Sequence, residues 1–110
     1  MNKSEWEAVY KDLDIGYADL YMHERDYVNG SNKKIREKGG RDMDYIIDRI
    51  KNKIRRIPEL YEMAIGGENI SDYSRAIIAD EFFSRRYIVR DLSRLLGLIQ
   101  EKIKSFPNEE

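Results

Sequence analysis

Cysteine is absent from this 110-residue chain, histidine and tryptophan occur once each, and proline occurs twice. Without cysteine there is no disulfide, no thiolate nucleophile and no zinc site built on thiolates, and a reducing, cytoplasmic setting is expected. The single histidine, His23, excludes an HExxH zinc motif. It also excludes a di-iron bundle, which needs two Glu-x-x-His pairs; the position three before His23 is Leu20. Asp19, His23 and Asp26 share one side of a helix, a pattern expected of a solvated polar face. No glycine-rich phosphate loop and no Ser-His-Asp set can be assembled. Long apolar runs are missing as well. None approaches the ~18 residues of a membrane span, and the opening MNKSEWEAVYKDLD has no apolar signal core. These absences imply no catalytic residue, no metal, no cofactor and no membrane partner. The one enzymatic alternative they leave is a metal-free helical enzyme acting on an anionic small molecule through its arginines.

What the chain has in abundance is charge, 37% of its residues against a usual ~25%, at a net charge of −1. Apolar residues recur among those charges at steps of four and three. The first series is Trp6, Tyr10, Leu13, Tyr17, Leu20, Glu24 and Tyr27. The second is Met43, Ile47, Ile50, Ile54, Ile57, Tyr61 and Ala64, and the third runs from Ile78 through Phe82, Arg85, Val89, Leu92, Leu96, Ile99 and Ile103 to Phe106. This alternation keeps one helix face against a partner and does not fit the two-residue period of a strand. The expected fold is therefore all-α: one domain over 1–110, an antiparallel bundle of three long heptad-patterned helices at about 4–29, 41–65 and 71–106, with a linker at 30–40.

Local signals set those boundaries. Ser4 with Glu7 reads as a capping box. Asn29-Gly30 and Gly66-Gly67 read as stops, because glycine accepts the left-handed cap conformation, and Ser71 reads as a start. Pro58 predicts a kink or break inside the second helix, giving four elements, since its ring removes a backbone hydrogen bond and crowds the preceding turn. A short glycine turn after residue 65 makes the second and third helices antiparallel neighbours and the first and third parallel. In that arrangement Glu24 and Arg85 either make a buried pair or each sit where the core has already ended. A third helix longer than the others would also leave Leu98, Ile99, Ile103 and Phe106 overhanging, which points to self-association.

Division of the charge by region is more informative than its total. Residues 1–32 hold 3 basic and 7 acidic side chains, residues 33–56 hold 10 basic and 4 acidic, and residues 57–110 hold 7 basic and 10 acidic. The cationic middle, through Lys33, Lys34, Arg36, Lys38, Arg41, Lys51 and Arg55, suits contact with a nucleic-acid backbone. It would equally complement the acidic helices beside it.

A second surface stands out in the third series. Phe83, Arg86, Tyr87, Arg90 and Arg94 fall off the core stripe of a continuous helix and make an aromatic and arginine face of their own. Such residues are enriched where proteins grip one another. The sequence thus leads first to a non-enzymatic interaction protein, an adaptor, inhibitor or assembly subunit, that binds another protein or a second copy of itself through this face. A nucleic-acid-contacting subunit is the alternative.

Overall fold

The structure is a computed structural model and describes residues 1–65, 84, 85 and 87–107. Every regular element among them is an α-helix: α1 (Lys3–Asn29), α2 (Lys33–Arg56), α3 (Pro58–Ile65) and α4 (Ile88–Lys104). None is long and apolar enough to cross a membrane. The expected Gly66-Gly67 stop, the Ser71 start and the positions from Ile78 to Phe83 lie outside the described residues.

The apolar periodicity explains what is buried. Trp6, Leu13 and Leu20 from α1, Met43, Ile47, Ile50 and Ile54 from α2, and Leu92, Leu96 and Ile99 from α4 enter one core with Val9, Leu60, Ala64, Ile88 and Leu95. Each large side chain so buried contributes about 1.5–3 kcal/mol relative to exposure. Glu24, in the same series as Trp6 and Leu20, is half-buried where that core ends.

Several boundaries differ from those the sequence suggests. The capping box of α1 is two residues earlier than Ser4 and Glu7. Asn2 Oδ1 accepts from the Glu5 backbone N–H at 2.9 Å, and the Asn2 N–H donates to Glu5 Oε1 at 3.0 Å. Asparagine caps as well as serine, and the three-residue spacing to a glutamate is the same. Gly30 ends α1 in an extended conformation, φ −55° and ψ 140°, with no left-handed turn. Here the glycine provides room, because a Cβ would stand 2.5 Å from the Asp26 carbonyl oxygen.

The expected linker at 30–40 shrinks to three residues. Asn32 caps α2 by accepting from the Ile35 N–H at 3.0 Å, so 33–40 are helical. Gly39 and Gly40 are buried within that helix. A Cβ on Gly39 would lie 2.7 Å from the Tyr27 backbone nitrogen and 3.1 Å from the His23 carbonyl oxygen. The pair that resembles a turn therefore lets two helix backbones approach. Contacts of Gly39 with Tyr27, Gly16 with Ile50, and Lys53 with Asp12 make α1 and α2 an antiparallel hairpin.

Pro58 acts as expected. The helix breaks at Ile57, which is extended at φ −118°, and Pro58 takes the first position of α3, where a missing N–H is harmless. The third long helix does not run unbroken from 71 to 106. Ser84, Arg85 and Tyr87 form a turn, with the Ser84 carbonyl accepting from Tyr87 and Ile88, and α4 spans 17 residues. Nor is it parallel to α1. Arg85 sits beside Tyr27 at one end, while Gln100 donates to the Tyr10 hydroxyl at 2.9 Å at the other, so α4 is antiparallel to α1 and runs with α2. The break at Pro58 means that α2 does not turn straight into α4. The expected overhang also disappears: Ile99 is buried, and Ile103 and Phe106 pack on the same core.

Candidate functional site

Starting α2 at Lys33 brings the cationic residues of 33–56 onto a single rod. A helix of 24 residues is about 36 Å long. Its core stripe is Met43, Ile47, Ile50 and Ile54. On the opposite side, at steps of four and three, stand Lys34, Lys38, Arg41, Tyr45, Arg49, Asn52 and Arg56, all of them exposed. Tyr45 is 67% exposed in the middle of that row. Three of the seven predicted polyanion-binding residues, Lys34, Lys38 and Arg41, are in it. Lys33, Lys51 and Arg55 lie along one flank, and Arg36 turns back so that its Nη1 donates to the Gly30 carbonyl at 3.0 Å. Tyr45, Arg49, Asn52 and Arg56 are the members the sequence reading leaves out. With the helix begun at residue 41 instead of 33, their phase relative to Lys34 and Lys38 cannot be read.

Three of the four acidic residues of α2 are engaged, one of them with a member of this row. Asp44 accepts two hydrogen bonds from Arg85, at 2.7 Å from Nε and 2.5 Å from Nη2. That guanidinium holds the Asp44 carboxyl below its ordinary range, chiefly through the hydrogen bonds, and Arg85 is itself raised by them. Arg85 also stacks 5.3 Å from the centre of the Tyr27 ring. Arg85 thus pairs with Asp44 rather than with Glu24, which sits where the core ends. Asp42 lies 3.7 Å from His23 Nδ1 and 3.6 Å from Lys38 Nζ, and Glu37 lies 3.7 Å from Lys33. Asp48 remains exposed beside the row.

Toward the end of α2 the row borders an open depression of about 520 Å³ walled by Arg49, Asn52, Lys53, Arg56 and Ile57. Arg49 and Lys53 are shared with a second hollow of about 340 Å³ between α1 and α2, floored by Gly16 and Ile50. Lys53 pairs there with Asp12. Three cations around one concavity, Arg49, Lys53 and Arg56, offer donors to an anionic group. Among the described residues no three His, Cys, Asp or Glu side chains converge to hold a metal.

The aromatic and arginine face predicted for the third helix has a different character. Phe83 and Arg86 lie outside the described residues. Tyr87 is the residue before α4, not a member of it. Arg90, its side chain 64% exposed, stacks 4.6 Å from the Tyr87 ring centre and donates to Asp91 Oδ1 at 3.0 and 3.1 Å. Arg94 donates to the Ala64 carbonyl near the end of α3. These contacts fasten the start of α4 to its surroundings. Asp91 beneath them is 1% exposed, and its Oδ2 has no hydrogen-bond partner among the described residues. Burial pushes that carboxyl above its ordinary range against the pull of Arg90.

No protein-family model matches the chain, and neither does any curated protein or solved structure.

Proposed function

We propose that this chain is a non-catalytic helical interaction protein that binds single-stranded nucleic acid along the outer face of α2. The observation that carries the reading is the exposed row of Lys34, Lys38, Arg41, Arg49 and Arg56 around Tyr45, on a helix with no acidic residue in its first turn. Cations at the positive end of a helix dipole are unfavourable, whereas acids there would stabilise. Lys53, Arg55 and Arg56 in the last turn are accounted for by the dipole alone; Lys34 and Lys38 are not. Their alignment with Arg41, Arg49 and Arg56 supplies a reason, a row about 33 Å long that can follow phosphates. Exposed Tyr45 within that row gives a ring on which an unpaired base can stack, and stacking tolerates any base. The acidic first 32 residues, on the other helix of the hairpin, would repel a polyanion and favour approach from the α2 side.

Fluorescence anisotropy with a labelled single strand and the matching duplex tests this. Tyr45→Ala should weaken single-strand binding by about 1–3 kcal/mol and leave duplex binding nearly unchanged. Equal losses on both, or none, would remove Tyr45 from the site.

One observation supports a second reading, a protein partner at the start of α4. The exposed Arg90 guanidinium stands over the ring of half-buried Tyr87, a preformed aromatic and guanidinium corner at the start of α4. Tyr87→Ala would then weaken a partner by more than ~1 kcal/mol while changing the melting temperature little. The contacts of Arg90 with Asp91 and of Arg94 with Ala64 favour the α2 face over this one.

A further inference from the structure

A different helix carries a second surface, independent of the α2 row. Among the large apolar residues left exposed, Ile15, Tyr21, Met22 and Val28 all belong to α1, with exposures of 56, 59, 69 and 61%. They are not scattered. Lys11, Asp14, Ala18, Tyr21, Arg25 and Val28 follow one another at steps of three and four and are all exposed, so they form one seam on the side turned from the core. Ile15 and Met22 run along one edge of it.

This seam is complementary to itself. An antiparallel second copy of α1, centred midway between Asp19 and Leu20, brings Asp14 opposite Arg25 and Arg25 opposite Asp14. It sets the small Ala18 against the large Tyr21 twice, and the alkyl stem of Lys11 against Val28 twice. Ile15 and Met22 on the flank fall near each other across the axis. Small against large and acid against base, repeated by a twofold axis, is what an isologous helix contact requires. A parallel copy would instead face Asp14 with Asp14 and Arg25 with Arg25. The surface also has a receptacle: Tyr21, Glu24, Arg25, Val28 and Asn29 surround a shallow hollow of about 260 Å³, where Lys11 of the second copy would arrive.

We infer that the outer face of α1 is the contact between two copies of this chain, paired antiparallel over residues 11–28. The paired length is about 27 Å, and the apolar content is modest, so a dimer that dissociates on dilution is expected.

Charge exchange tests the pairing on the full-length chain. Sedimentation velocity over a concentration series should show a monomer–dimer equilibrium. Arg25→Glu and Asp14→Arg should each raise its dissociation constant by about tenfold or more, because each turns two attractions into two repulsions. The double variant Asp14→Arg/Arg25→Glu should return to near the original value. An equimolar mixture of the two single variants should dimerise better than either alone. Met22→Lys should weaken the dimer without touching the ion pairs, and circular dichroism should show every variant folded, since all these positions are exposed. A chain monomeric at all concentrations would overturn the inference. So would a dimer indifferent to the single exchanges, or one that the double exchange fails to restore, since its contact would lie elsewhere. Nucleic-acid binding by a strictly monomeric chain would defeat this inference and leave the α2 reading standing.

Discussion

The two helices of the hairpin make an instructive pair. They are nearly equal in length, 27 and 24 residues, run antiparallel, and bury the same kind of stripe in the same core. Their outward sides share almost nothing. That of α1 is apolar and acidic with a few bases, while that of α2 is a file of cations broken by one tyrosine and one asparagine. Core packing cannot produce this difference, because it constrains only the inward faces. Helix stability does not produce it either, since the cations of α2 begin at the end of the helix where the dipole disfavours them. On the proposed reading, these differing outward faces are where partners bind.

The hairpin requires its two backbones to be held close, and the largest effect is expected there. Gly39→Ala would place a methyl group 2.7 Å from the Tyr27 nitrogen. Its gain in helix propensity, ~1 kcal/mol, should be exceeded by the strain of parting α1 from α2, for a net loss of about 1–3 kcal/mol in urea denaturation. A stabilised Gly39→Ala variant would contradict the described approach of the hairpin.

The row itself separates function from stability. Lys34→Glu places an acid in the first turn of α2 and should stabilise the fold by about 0.3–1 kcal/mol while weakening nucleic-acid binding. Opposite signs in the two measurements are the signature sought; if both fall together, Lys34 is structural.

Acid sharpens the comparison through two carboxylates that respond in opposite directions. The folded-state pKa of Asp44 is depressed, so its contribution is present above the unfolded pKa and is lost as pH falls through the lower folded value. That of Asp91 is raised by burial, so the folded state binds its proton more readily and gains stability as pH falls toward the ordinary carboxylate range. Asp91→Asn should therefore stabilise the protein at neutral pH and remove the mildly acidic gain. Asp44→Asn should remove the loss at lower pH. Melting temperatures from pH 7 to pH 3 on both variants check this.

A modest effect of opposite sign to the first is expected at Gly97. A Cβ there would meet nothing within 4 Å, so Gly97→Ala should stabilise α4 by about 0.5–1 kcal/mol, the reverse of Gly39→Ala.

Much of the architecture was legible in the residues. The steps of three and four identify helices because only a helix brings Trp6, Leu13 and Leu20, or Met43, Ile47 and Ile50, to one side. Pro58 announces its break because its ring has no other use inside a helix. Other features were ambiguous in kind. Gly39-Gly40 carries the same letters whether it turns the chain or lets a neighbouring backbone approach, and only the partner helix decides. The run from Ile78 to Phe106 keeps its spacing across Ser84 to Tyr87, so periodicity alone could not reveal the turn there, nor that α4 runs with α2. The site suffered from the first of these errors. The cations of 33–56 were evident as a block, but Lys34 and Lys38 join the face of Arg41, Tyr45 and Arg49 only when the helix begins at Lys33.

The salt dependence of single-strand binding tests the α2 face most directly. A short labelled oligonucleotide should bind the unaltered chain with a slope of log K against log salt of about −2 to −3.5, from five cations at ~0.7 each or somewhat fewer. Lys34→Gln/Arg41→Gln/Arg49→Gln should bring that slope to about −1 while leaving the melting temperature within a few degrees. A slope unmoved by the triple change, or no binding at low salt, would contradict the assignment of the α2 face.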